Sequence, residues 1–214
     1  AIALRDQLLA RGGIRVALTR EDDRFLVLEE RAGIARRLKA DLFISIHADS
    51  STAEGASGAT IYTLSDRGSN ESAARLAEVE NRSDTVNGVE LGGQSSDVNA
   101  ILVDLSQRDS RARSAAFAEL ILREGEGVMP FRERSIQSAA FVVLKSADLP
   151  SVLIESGYVS NPEDAARLGS AAGRRAFATT LARAVRVYFA RQSEPESAAS
   201  ADAADRPEAP TGTP

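Results

Sequence analysis

The sequence predicts a single α/β domain: a mixed, mostly parallel sheet flanked by helices. Two observations carry that reading. Short apolar runs rich in β-branched and aromatic residues, too brief for ordinary helices, alternate with longer stretches of helical spacing. Helix, strand, helix and strand follow one another over the first fifty or so residues, with connections of the length that parallel α/β units use. With 214 residues and 43% hydrophobic content, the chain is long enough for one sizeable core.

Taken in order, Ile2, Leu4, Leu8 and Leu9 mark a helix that stops at Arg11-Gly12-Gly13, a glycine C-cap. Ile14 to Leu18 is expected as a strand, with Val16 and Leu18 alternating against Arg15 and Ala17. A polar loop leads to a helix from about Phe25 to Lys39, with Leu28, Ala32, Ala35 and Leu38 on one face. Leu42 to Ile46 reads as a buried strand ending on His47. Ala59 to Leu64 is a further strand, and Asn70 to about Asp84 a helix, followed by a Gly-rich break over Val86 to Ser96. Val98, Ile101, Leu102 and Leu105 open another amphipathic helix running through Phe117 and Leu122. Phe141–Leu144 and Val152–Glu155 are expected as strands. Asn161-Pro162-Glu163-Asp164 is a helix start: Asn at the cap, Pro in the first turn, then two acids. Phe177, Leu181, Val185 and Tyr188 stripe the final helix, and residues 192–214, without apolar bulk, are expected to be a disordered tail.

Composition excludes several functions. A net charge of -5 and a pI near 5.1 leave no basic face for nucleic acid. Without cysteine there are neither disulfides nor thiolate metal sites. No apolar run approaches the roughly 20 residues of a membrane span.

Candidate chemistry gathers at two strand ends. His47 is the only histidine and stands where a strand leaves an open sheet, a place favoured by catalytic groups, although a satisfied core histidine is an equally simple explanation. Glu155 ends a second apolar strand, where an exposed ion-paired glutamate is the simpler alternative. A histidine and a glutamate so placed suit a metal ligand and a general base at zinc, but catalytic zinc normally takes three protein ligands, more than one His without Cys readily supplies. Glu80 is the third candidate. It shares a helical face with Ala73, Leu76 and Ala77, whereas Glu78 points the other way. A carboxylate on that apolar stripe calls for a cation, either a metal or an arginine such as Arg75 or Arg82.

Three stretches occur in a telling order: Leu18-Thr-Arg-Glu-Asp-Asp23, Asp41-Leu-Phe-Ile-Ser-Ile-His-Ala-Asp49 and Pro150-Ser-Val-Leu-Ile-Glu-Ser-Gly-Tyr-Val-Ser-Asn-Pro162. Together they resemble the zinc-dependent N-acetylmuramoyl-L-alanine amidases of bacterial cell separation, over roughly Ala1 to Ala190. The resemblance implies a zinc amidase/exopeptidase-like fold and cleavage of the amide between N-acetylmuramic acid and L-alanine of peptidoglycan. It implies that His47 is a Zn2+ ligand and that Glu155 acts on the zinc-bound water. The family's other ligands, a His in a Gly-His-Gly-Gly loop and a Glu, would precede Ala1, so residues 1–191 are expected to be a catalytic domain lacking its first strand. Asp49 stands where Asn is common, and Arg36 replaces a frequent Asn.

The middle segment, about 66–125, resembles a regulatory helical insert that in some members lies over the zinc and keeps the enzyme off. Glu80 would then plug the open zinc position until a protein activator of the division machinery withdraws the helix. A periplasmic location follows from the same resemblance. The competing reading is a catalytically incomplete fragment acting as a peptidoglycan- or partner-binding module; a weaker one is a zinc carboxypeptidase on a related fold.

Overall fold

The computed structural model of the protein describes residues 1–53, 55–86, 100–146 and 148–193. Among these residues four strands form one sheet: β1 (Phe43–His47), β2 (Ala59–Leu64), β3 (Phe131–Ala139) and β4 (Ser151–Glu155), in the spatial order β1-β4-β2-β3. β1 runs parallel to β4 and β2 parallel to β3, while the central pair β2 and β4 is antiparallel. The expected mixed, mostly parallel sheet is therefore present.

The pleat sends alternate side chains to opposite faces, and each face is covered by its own helices. Ala59, Ile61, Val152 and Ile154 pack with α1 (Ile2–Ala10), α5 (Ala100–Gly125) and α7 (Ala171–Ser193), through Leu4, Leu8, Phe117, Ile121, Leu181 and Val185. An edge-to-face pair, Phe117 against Tyr188 at 5.2 Å, locks α5 to α7. On the other face Phe43, Tyr62 and Leu153 meet Leu28 and Ala35 of α2 (Leu28–Arg37) and Ala73 and Ala77 of α3 (Glu71–Asn81). Fully burying side chains of this size stabilises by about 1.5–3 kcal/mol each, so both faces are needed to hold the sheet. No helix among the described residues is long and apolar enough to cross a membrane.

Several boundaries follow the sequence closely. The first helix ends at Gly12 and Gly13, both with positive φ, the left-handed stop expected there. Asn70 caps α3 by accepting from Ala73 N, and Asn161 caps α6 (Pro162–Gly169) by accepting from Glu163 N and Asp164 N. A short α4 (Ser83–Val86) follows α3. The final helical region is broken at Ser170 into α6 and α7.

Other expectations are corrected. Ile14–Leu18 forms no ladder among the described residues; Ile14 and Val16 alternate inward onto the core, but no described strand accepts their backbone. The helix after the polar loop is shorter than expected, Leu28–Arg37, and Leu38 lies outside it and exposed. Phe141–Leu144 is not a strand. This run closes a 3-10 turn at Val142–Leu144 and spends its side chains on the α2/α3 face. The strand that the sequence concealed is β3, whose Arg-Glu-Arg-Ser start suits an edge paired on one side only. The expected Gly-rich break, Val98, the side chains of Ile101, Leu102 and Leu105, and the tail beyond 193 lie outside the described residues.

Candidate active site

Strand register assembles the site. His47 and Glu155 are direct partners at the C-terminal ends of parallel β1 and β4, and Thr60 of β2 is the antiparallel partner of Glu155. Directly opposed residues share a sheet face. The imidazole, the carboxylate and the Thr60 hydroxyl therefore lie in one row, on the face covered by α2 and α3.

Side-chain anchors hold α3 across that face. At its start, Asn70 Nδ2 donates to Gln137 Oε1 of β3 at 2.7 Å. At its end, Asn81 clamps the turn before β4: Nδ2 donates to Ala140 O at 2.9 Å and Oδ1 accepts from Val142 N at 2.8 Å. Just beyond, both carboxylate oxygens of fully buried Asp84 accept from Leu28 N at 3.1 Å, at the N-terminus of α2. Between the anchors α3 lowers Glu80 onto the site, and Glu80 Oε2 sits 3.0 Å from His47 Nδ1.

The rest of the shell is short-range. Ser45 Oγ is 3.0 Å from His47 Nε2, and Asp49 Oδ2 is 3.7 Å from Nδ1, an ion pair beyond hydrogen-bond length. Glu155 is 0% exposed; its Oε2 accepts from Asp49 N at 3.1 Å. Glu155 Oε1 and Asp49 Oδ2 are buried without a hydrogen-bond partner among the described residues.

These neighbours set the charges. Burial pushes the Glu155 carboxyl up, the Asp49 charge adds to the push, and together they take it to about 8. Burial works against a charged His47, but Asp49, Glu80 and Glu155 outweigh it and raise the ring to about 10. The His47 ring holds Asp49 well below the usual carboxylate range. Burial raises Glu80.

A divalent cation fits this donor set. Ligand atoms of His47, Asp49 and Glu155 lie within 4.8 Å of one another. The two buried oxygens without a donor are unfavourable unless a cation or a proton meets them. Imidazole and carboxylate together suit zinc.

The residues singled out in the sequence thus meet in space. His47, Glu155 and Glu80 converge, Glu78 is exposed, and Arg75 pairs with Glu71 at 2.5 Å rather than with Glu80. Sequence reasoning missed Ser45 and Thr60, and took Asp49 only as a motif variation. Their signal was the two-residue strand period, which places Ser45 on the face of His47. It also missed Asn81 and Asp84, whose partners lie about sixty residues away in the chain.

A family model for N-acetylmuramoyl-L-alanine amidases matches residues 1–187. The chain belongs to this family. Among curated relatives of the family, the N-acetylmuramoyl-L-alanine amidase AmiA of Escherichia coli strain K12 is 41% identical over 183 residues, covering 85% of this chain and 63% of its own length. AmiC of Neisseria meningitidis serogroup B is 35% identical, over 83% of this chain and 42% of its own. The chain thus spans less than two thirds of these relatives. Two amidase structures share the fold. Ami1 from Mycobacterium smegmatis has a TM-score of 0.63 at 22% identity, covering 89% of this chain and 74% of that one. AmiC2 of Nostoc punctiforme has a TM-score of 0.57 at 23% identity, covering 89% and 82%.

Proposed function

We propose that this chain forms the catalytic face of a zinc-dependent peptidoglycan hydrolase cleaving the amide between N-acetylmuramic acid and the stem L-alanine. The observation that carries the reading is the convergence of His47, Asp49 and Glu155 within 4.8 Å at adjoining strand ends of an amidase-family chain. His47 and Asp49 would hold Zn2+, which supplies a Lewis acid that polarises the scissile carbonyl and acidifies water.

The protein's own groups do the proton work. Asp49 N–H holds Glu155 Oε2, leaving Oε1 as the oxygen free to move protons. That oxygen is placed to take a proton from the attacking water and pass it to the departing L-alanine amine. Thr60 and Tyr62, each at most 1% exposed, wall the same face against bulk water.

Glu80 supports a resting state that is off. It occupies the imidazole that a metal would take, and α3 covers the approach. A protein activator that withdraws α3 would shift the population toward an open site. Peptidoglycan lies outside the cytoplasmic membrane, so the working location is the periplasm.

Product analysis tests the reading. Incubating zinc-loaded protein with purified peptidoglycan should release stem peptides with a free L-alanine N-terminus. Shortened stems still attached to glycan would mean a carboxypeptidase, and binding without any product a non-catalytic module.

A further inference from the structure

The catalytic row continues across the sheet to a residue outside the proton chemistry. Thr60, the partner of Glu155, faces an irregularity in β3: β2 advances from Ala59 to Ile61 while β3 advances from Phe131 to Ile136. Such a bulge re-aims the side chains it carries. Arg132 sits in it, with Ser135 Oγ donating to Arg132 O at 2.7 Å. Two strand spacings of about 4.8 Å separate this position from Glu155, so their backbones lie roughly 10 Å apart.

The guanidinium is held without being neutralised. Nη1 donates to Tyr158 Oη at 3.0 Å, and Cζ lies 5.6 Å from the centroid of the Tyr158 ring. Tyr158 is 4% exposed and fixed in turn, because its backbone N donates to buried Asp164. Tyr158 also meets the phenol of Tyr62, which stands on the catalytic face. No ion pair engages Arg132 among the described residues, unlike Arg167, which is paired with Asp164. Between Arg132 and Glu155, the Thr60 hydroxyl is fully buried with no hydrogen-bond partner among the described residues. A half-exposed, pre-oriented fork of donors and an unused hydroxyl, in line with the proton-transfer carboxylate, have the makings of a subsite for an anionic group.

We propose that Arg132, seated on Tyr158, is the specificity residue that anchors a free carboxylate of the acidic stem peptide. This rests on the amidase reading. With the scissile amide at Glu155, an extended peptide of about 3.4 Å per residue brings a group two or three residues along the stem to Arg132. Arginine suits the task because its planar fork can grip a carboxylate in two-pronged fashion.

The test uses zinc-loaded protein carrying Glu80→Ala to clear the approach, and two muramoyl peptides that differ only in having stem carboxylates free or amidated. Arg132→Gln should raise KM for the free-carboxylate peptide about 10- to 100-fold with kcat little changed, and leave the amidated peptide unaffected. Arg132→Lys, which keeps the charge and loses the fork, should recover part of the loss. An unchanged KM, or equal loss on both peptides, overturns the assignment. Calorimetric binding of the same peptides separates the two readings. If neither peptide is cleaved, the amidase reading fails, and Arg132 is then judged by binding alone. Weaker binding of only the free-carboxylate peptide by Arg132→Gln supports the anchor; equal or absent binding refutes it.

Discussion

Asp84 is the place to test whether α3 is a latch or merely part of the fold. Its side chain is 0% exposed and directs both oxygens at Leu28 N, the first amide of α2. A hydrogen bond to a buried charged group contributes about 1.5–3 kcal/mol, and a carboxylate at a helix N-terminus gains a further 0.3–1 kcal/mol or so from the helix dipole. If α3 and α4 leave the site together, Asp84→Ala removes that energy from the covered state alone. Together these come to about 2–4 kcal/mol, and each 1.4 kcal/mol or so is a tenfold shift, so the uncovered population should grow roughly 20- to 700-fold. The assay is release of soluble fragments from dye-labelled peptidoglycan by the zinc-loaded enzyme without any activator. Basal rate should rise about tenfold or more in Asp84→Ala. A fall in Tm with no change in basal rate would refute the latch and leave Asp84 as an ordinary cap for α2.

Further outcomes follow from neighbouring contacts. Glu80→Ala should raise both basal hydrolysis and zinc affinity, read by chelator competition, because the 3.0 Å contact with His47 is lost; unchanged values would end the plug reading. Glu155→Gln should lower kcat by about a hundredfold or more while leaving the far-ultraviolet dichroism intact, since a general base is removed from a nearly isosteric site. Asp164 accepts from Gly58 N and Tyr158 N at 2.9 Å and pairs with Arg167. Burial opposes its charge, but Arg167 and those two amides hold the carboxyl below its ordinary 3.8. A depressed folded value means that its stabilisation is present above pH ~3.9 and fades as pH falls toward the folded pKa. Asp164→Asn should therefore cost about 3 kcal/mol at pH 7, and the difference from wild type in urea unfolding should shrink on acidification; a gap that does not change with pH would contradict the assignment.

Local pattern was enough wherever a segment's own residues decide its conformation. The double glycine after α1, the Asn caps of α3 and α6, and the apolar runs of β1, β2 and β4 were legible because capping, left-handed φ and strand burial act over a few residues. His47 and Glu155 stood out for the same reason, as polar residues ending apolar strands, and the helical period put Glu80 on the buried stripe. β3 was not legible: an edge strand satisfies half its ladder and tolerates polar residues, so Arg132 to Ser135 carry little alternation. Phe141–Leu144 has the composition of a strand, but its apolar side chains are claimed by packing against α2 and α3, far away in the chain, and it closes a 3-10 turn instead. The same holds for the site. Sequence alone chose the imidazole and the carboxylates. Only the tertiary structure decided that β1 and β4 are neighbours in register, that Asp49 completes the cluster, and that Asn81 and Asp84 hold α3 over it. Those contacts join residues far apart in the chain, and their stability comes from burying one whole face of the sheet, which no local stretch encodes.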